Sequence, residues 1–451
     1  MCETSPQTPP PGLPSRLTWR TWTTLGVLFV GFVVHFVVHP EGRFRSGRAH
    51  GDGTYYYAYL RSLAFDRDLD FTNDYRLVGN QFGIGAGPKK RPANPFTIGP
   101  AIYWAPFLAV AHGIAAVGNA AGWFQDPMDG SSDLYHRVTF FGSLLWGFGA
   151  IVLCVLLLRH YFSERLALVG GLAVALATPL PWYMTRQPCF SHAIDAFAVA
   201  ALVVYWHRTL WSRTLRQWIA LGLLAGLAML VRPQNLGFLL LPFGEGLILL
   251  VRTLRVGERR EAWHLVGRGC ACIGAALVAF SPQMLAWHHI YGHLVTVPQG
   301  GSFLMLAHSK WVETLLSSRN GLFAWYPLIY AGVIGLFLLP LRTLPSRAAP
   351  LALLGLVALA FQVYINGSVS DWWAGWAFGG RRFSSSTVLF AVGFASFFWY
   401  LGQVLRRAGP ALLAAAPVLV VALLAVCNLS LMEDYTEGRV RYASSQDMSV
   451  F

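Results

Sequence analysis

Apolar runs of about 20 residues recur along this chain, and that is the length an α-helix needs to cross the hydrocarbon core of a bilayer. The clear ones are 19–39, 137–158, 165–182, 191–207, 217–231, 235–251, 265–287, 321–341, 349–366, 384–404 and 410–430, eleven in all. Only 12% of the 451 residues are charged and 55% are hydrophobic, whereas soluble domains carry about 25% charged residues. The expectation is an all-α polytopic membrane protein with about eleven transmembrane helices.

A twelfth run, 96–120, is interrupted by Pro100, Pro106, His112 and Asn119. Proline removes a backbone donor and breaks the helix ladder, so this run reads as interfacial. Charge bias sets the orientation, because short cytoplasmic loops carry the Lys/Arg excess. With 96–120 at the interface, fourteen arginines fall in the loops on the side of the N-terminus, against eight Lys/Arg opposite. The layout expected is therefore a disordered cytoplasmic tail over 1–18, a membrane domain over 19–430 with 40–136 as one long external loop carrying interfacial helices, and a short external tail over 431–451.

The formal net charge of +13 does not point to nucleic acid, since the arginines sit in short clusters between apolar runs rather than on one basic face. No GxxxxGK[ST] occurs, which argues against an ATP-driven pump. The six cysteines show neither a disulfide framework nor a zinc spacing. Richness in Ala, Gly, Leu and Arg points to a bacterial source, and hence to an inner (plasma) membrane with an external, periplasmic site.

The most polar stretch, GDGTYYYAYLRSLAFDRDLDF at 51–71, follows the first span. Asp52, Tyr55, Tyr56 and Tyr59 fall at i, i+3, i+4 and i+7, one face of a helix. The plainer reading is an N-cap aspartate on an interfacial helix whose tyrosines anchor in headgroups. The sharper one is a carboxylate at the outer boundary that takes a proton from a substrate nucleophile. Asp68 and Asp70 imitate a DxD metal motif, although alternating aspartates in an Asn/Asp-rich turn are usually solvated. Lys89, in GPKKRP, touches either lipid headgroups or an anionic substrate.

Three further external constellations carry chemistry. His192 and Asp195 lie one helical turn apart, where they are helix-end residues or face a cavity. The histidines of WHHIYGH (288, 289 and 293) do not have a zinc spacing. In SDWWAGWAFGGRRFSSS, Trp372, Trp373 and Trp376 suit a sugar ring or a polyprenyl chain, and Arg381 and Arg382 suit a phosphate. The alternative for that stretch is an aromatic belt with basic anchors, but paired arginines run against the charge bias of this side.

This arrangement resembles the GT-C superfamily of membrane glycosyltransferases, in particular the branch with protein O-mannosyltransferases and lipid A aminoarabinose transferases. Asp52 in GDGTYYYAYLRSL matches the place of the family's catalytic aspartate, followed by a Tyr/Arg helix and a D-L-D turn. PFTIGPAIYWAPF is similar to the family's interfacial segment, and DLYHRVTFFGSLL fits the head of the next span. Where the family offers a second acidic residue, this chain has His192 and then Asp195. The tryptophan run resembles the WWD motif of oligosaccharyltransferases, but the order here is DWW and no large C-terminal soluble domain follows, which sets that subfamily aside.

The resemblance implies a GT-C-like transferase moving a sugar from a polyprenyl-phosphate donor to a lipid, glycan or protein acceptor. Asp52 would be the general base, with no cofactor and with a divalent metal not favoured. Tyr55, Tyr56, Arg61, Lys89, His192, Asp195, Arg232, Trp372, Trp373, Arg381 and Arg382 are the substrate-binding candidates. One base with no nucleophile partner implies an inverting, single-displacement reaction. The rival class is a transporter or flippase of lipid-linked substrates, though internal repeats and mid-helix charges typical of such proteins are not evident.

Overall fold

A computed structural model of the chain describes residues 17–38, 47–341, 347–375, 377–405 and 410–440. The tail over 1–16, Trp376 and the end of the external tail from 441 lie outside the described residues. The helices are α1 Trp19–Val38, α2 Asp52–Arg61, α3 Thr72–Leu77, α4 Gly99–Ala120, α5 Asp133–Leu158, α6 Glu164–Leu176, α7 Leu180–Thr185, α8 His192–Arg208 and α9 Leu215–Val231. They continue as α10 Leu240–Arg255, α11 Arg259–Tyr291, α12 Trp311–Leu316, α13 Leu322–Trp325, α14 Leu328–Leu338, α15 Ala348–Gly367, α16 Thr387–Val404 and α17 Pro410–Thr436. Two 3₁₀ turns, Pro233–Leu239 and Arg381–Ser386, lead into α10 and α16.

Among the described residues, eight helical segments are long and apolar enough to cross a membrane. The protein is an integral membrane protein. Several expected spans differ in detail, and proline is the usual reason. The run 165–182 divides into α6 and α7 around Pro179 and Pro181, and 321–341 divides into α13 and α14 at Pro327. In the other direction, 265–287 grows into the 33-residue α11. At 1.5 Å per residue that is about 50 Å, longer than a bilayer core, so the helix projects beyond it.

Two ends of the bundle are distinguished by their contacts. At one, Thr18 at the head of α1 bonds the Glu164 carboxylate through its amide (2.6 Å) and hydroxyl (2.9 Å). There too Arg213 and Glu245 form a buried ion pair, to which the Trp206 indole adds a 2.9 Å bond, so that the charge is compensated as burial requires. At the other end Asp52, Arg232 and Arg381 line a large cavity, with His192 enclosed behind Arg232. Small residues let helices close up between the two ends, as is usual in membranes. A Cβ on Gly393 of α16 would stand 1.7 Å from the Gly332 carbonyl oxygen of α14.

The segment 96–120 departs from expectation in one respect. It is a continuous helix through Pro106, long enough to cross, because neighbouring helices hold the ladder that one missing donor weakens. Its contacts nevertheless keep both flanks at the cavity end. Trp104 Nε1 donates to Ser143 Oγ (2.8 Å) and the His112 ring meets the Tyr135 hydroxyl (2.7 Å), so α4 runs antiparallel along the N-terminal half of α5. Before it, Thr97 Oγ1 donates to the Val231 carbonyl and the Ile98 amide to Gln283, both at 2.8 Å. After it, the Gly130 carbonyl accepts from the Tyr57 hydroxyl at 2.7 Å.

The helix α2 is not an amphipathic interfacial helix. Every residue from Gly53 to Arg61 is buried, and the tyrosine tips find internal partners as buried hydroxyls must. Tyr55 donates to Asn80 at 2.9 Å and accepts from the Phe82 amide at 2.7 Å, while Tyr59 donates to the Asn94 carbonyl. The tyrosines are internal props of the segment between α1 and α4 rather than headgroup anchors.

Candidate active site

Local geometry delivers Asp52 to the cavity. The backbone reverses at Gly51 (φ 52°, ψ −133°), a region open in practice to glycine alone. The Gly51 amide is held by Gln81 Oε1 at 2.6 Å, and a Cβ on residue 51 would meet the Phe190 ring at 3.0 Å. Asp52 is then the first residue of α2, where the positive end of the helix favours a carboxylate.

The cavity measures about 1150 Å³, above the 300–1,000 Å³ usual for a single small-ligand pocket. Its polar pole is formed by Arg48, His50, Asp52, Arg232, Gln234, Asp371, Arg381 and Arg382, and its apolar side by Phe82, Phe96, Leu236, Trp287, Phe361 and Ile365. The wall therefore offers both polar groups for a charged or hydroxyl-rich moiety and apolar surface for hydrocarbon or rings.

Three arginines converge on the polar pole. Arg381 Nη1 donates to Asp52 Oδ2 at 2.8 Å, and its guanidinium lies 5.1 Å from the centre of the Phe190 ring. Arg382 Nη2 donates to Asp371 Oδ1 at 2.7 Å. Arg232 follows α9 in extended conformation and meets mostly neutral acceptors. Its Nη1 is 3.1 Å from His192 Nδ1, and the Gln234 amide oxygen, when oriented toward it, accepts from Nη2 and Nε at 2.8 and 2.9 Å. The Asp195 carboxylate stands farther off, 3.9 Å from Arg232 Nε. Charge-assisted donors of this kind suit a phosphate.

The sequence candidates thus divide. Asp52, Tyr56, Arg232, Arg381 and Arg382 line the cavity. His192 and Asp195 are fully enclosed behind Arg232. Tyr55, Arg61, Lys89, Trp372 and Trp373 are not on its wall. Arg61 is consumed by Asp66 (2.7 Å) and Asp74 (2.8 Å) inside the segment between α1 and α4. Lys89 Nζ caps the end of α11 through the His288 carbonyl at 3.0 Å, where cations are favoured. Trp372 is buried and Trp373 packs under Arg319 at 4.6 Å. The D-L-D aspartates are engaged by protein groups: Asp68 Oδ1 accepts from Ser62 and the Asp70 amide, Asp70 Oδ1 accepts from Thr72, and Asp70 Oδ2 lies 3.7 Å from Arg91 Nε.

Sequence reasoning missed His50, Gln81, Gln234 and Asp371. Asp371 stood beside the tryptophans in a motif already singled out, and Gln234 two residues beyond Arg232. His50 lies on the cavity wall, its Nδ1 3.0 Å from the Arg48 carbonyl and 3.5 Å from Cys189 Sγ. Burial holds its imidazole below the usual range, against the pull of the Asp52 charge.

With this geometry in hand, comparison with known proteins adds three findings. Residues 133–287 match the family model for dolichyl-phosphate-mannose-protein mannosyltransferase. That segment carries His192, Asp195 and Arg232 but neither Asp52 nor the arginine pair. A sequence search of curated proteins finds no match. Among solved structures, the archaeal oligosaccharyltransferase AglB from Archaeoglobus fulgidus, in complex with an inhibitory peptide and a dolichol-phosphate, superposes at TM-score 0.51 and 14% identity over 94% of this chain and 56% of that one. The same enzyme tethered to an acceptor peptide with the NVT sequon gives TM-score 0.52 and 13% identity over 95% and 56%. The chain spans just over half the length of these structures.

At such identities the likeness is one of fold: the chain shares the fold of the membrane part of this archaeal oligosaccharyltransferase. The resemblance read from the sequence holds at that level.

Proposed function

We propose that the protein is a membrane glycosyltransferase that moves a sugar from a polyprenyl-phosphate donor to a lipid, glycan or protein acceptor, on the outer face of a bacterial inner membrane. The observation that carries this reading is the ion pair of Asp52 with Arg381 on the wall of a half-apolar cavity, beside Arg232 and Arg382. The apolar side suits a polyprenyl chain and the arginines its phosphate. The dolichol-phosphate bound to AglB, a structure of the same fold, supports the donor class, as does the family description of the matched segment.

In the reaction, the acceptor hydroxyl attacks the anomeric carbon while Asp52 takes its proton. The bond from that carbon to the phosphate oxygen breaks, and the electron pair leaves with polyprenyl phosphate. Arg232, Arg381 and Arg382 hold the charge that develops on the leaving oxygen, in a site largely shielded from water. A single displacement of this kind inverts the anomeric centre, and no metal is required by the residues named. The test is incubation of the purified protein with radiolabelled polyprenyl-phosphate sugars. Release of free polyprenyl phosphate that depends on acceptor is expected, and its absence across hexosyl and pentosyl donors rejects the reading in favour of a carrier.

A further inference from the structure

Asp195 was a candidate ligand in the sequence, yet its side chain is 0% exposed and reaches no cavity surface. It sits where three chain segments meet. From its place on α8, Oδ1 accepts from Asn235 Nδ2 at 2.6 Å, and the same amide donates to the Ala228 carbonyl at 2.9 Å, tying the carboxylate to the end of α9. Oδ2 faces Arg232 Nε at 3.9 Å, too far for a hydrogen bond but close enough to orient a guanidinium. Oδ2 accepts no hydrogen bond. From a third direction, the 3₁₀ turn Arg381–Ser386, which presents the other two cavity arginines, packs against α8.

Burying a carboxylate costs several kcal/mol unless charge and hydrogen bonds compensate it. Here the compensating groups are the Arg232 guanidinium and the Asn235 amide, both from the segment that follows α9. Moreover, Arg232 has only neutral groups within hydrogen-bonding distance, unlike Arg381 and Arg382, which are bonded to Asp52 and Asp371. Its charge is the least committed of the three, and its direction is set from behind.

Resting on the glycosyltransferase reading above, we infer that Asp195 is a positioning residue for the donor phosphate: it sets the direction of Arg232 from behind without touching the substrate. The sign of the effect separates this role from a purely electrostatic one. Removing a negative charge from behind three arginines makes the pole more positive, and by Coulomb attraction alone phosphate would bind more tightly. Removing a positioning group does the opposite.

The experiment measures binding of polyprenyl phosphate to the detergent-purified full chain, with thermal unfolding followed in parallel. Asp195→Asn keeps the shape and removes the charge, and we expect about tenfold weaker binding, the equivalent of one charge-assisted contact, with KM for the donor rising more than kcat falls. Asn235→Ala leaves every charge in place and is expected to weaken binding in the same direction, which keeps the inference testable if Asp195→Asn does not fold. Binding by folded Asp195→Asn, or failing that by Asn235→Ala, that equals or exceeds wild type overturns the positioning role. Failure of the wild-type protein to bind polyprenyl phosphate overturns the donor reading itself, and the two failures are distinguished by that control.

Discussion

Asp52 and Arg381 are 329 residues apart in sequence and 2.8 Å apart in space. Their pairing brings the start of α2 onto the 3₁₀ turn that precedes α16, and it gives the carboxylate a partner that a donor phosphate would also seek.

Asp52→Asn keeps the shape of the side chain and removes its capacity to take a proton. Transfer is expected to fall by roughly 10²- to 10⁴-fold, the contribution usual for a positioned base, while expression, membrane insertion and thermal stability persist. Release of polyprenyl phosphate from a sugar donor, compared between the two proteins at equal folded fraction, checks this. An active Asn variant removes Asp52 from the mechanism.

Gly51→Ala forces an L side chain into a backbone region it rarely adopts and drives its Cβ toward the Phe190 ring. Strain of about 1–3 kcal/mol is expected. Because residue 52 is the next along the chain, activity should fall further than stability does. Parallel melting curves and turnover rates resolve the two effects.

His50 supplies a pH dependence whose sign follows from burial. Its imidazole is held below the ordinary value of 6.5 in the folded chain, so the unfolded chain binds the proton more readily. The stability this contributes is complete above about pH 6.5 and is lost as pH falls toward the lowered value. His50→Gln is expected to flatten the acid limb of a plot of melting temperature against pH between neutrality and pH 5, and an unchanged slope would refute the assignment.

The aspartates of the D-L-D turn are engaged in capping their own loop. Asp70→Asn should therefore leave activity within a few-fold of wild type, and chelator treatment should not distinguish the two proteins. A turnover rate that collapses in Asp70→Asn and recovers with added divalent cation would assign this turn to a metal.

How far the sequence could be read depended on whether a residue's environment repeats a local pattern. Apolar runs and the arginine asymmetry are local, and they led to the helical class and to the cavity-facing Asp52, Arg381 and Arg382. The i, i+3, i+4, i+7 face of α2 misled because that helix is enclosed on all sides, and periodicity separates faces only when one of them is wet or lipid-exposed. Arg61 looked available because its partners, Asp66 and Asp74, belong to a turn whose closure is not written in any spacing. Gln81 and Gln234 were invisible for a related reason: a lone glutamine acquires meaning only from the amide or guanidinium that tertiary folding sets against it.

The distance along the chain between Asp52 and Arg381 also bears on biosynthesis. Segments enter the membrane in the order of their synthesis, so the carboxylate is installed while the guanidinium that matches it has yet to be translated. Until α16 follows the Arg381 turn into place, the nascent polypeptide holds Asp52 without its arginine partner. On the proposed reaction, competence for sugar transfer is thus acquired only in the final steps of assembly.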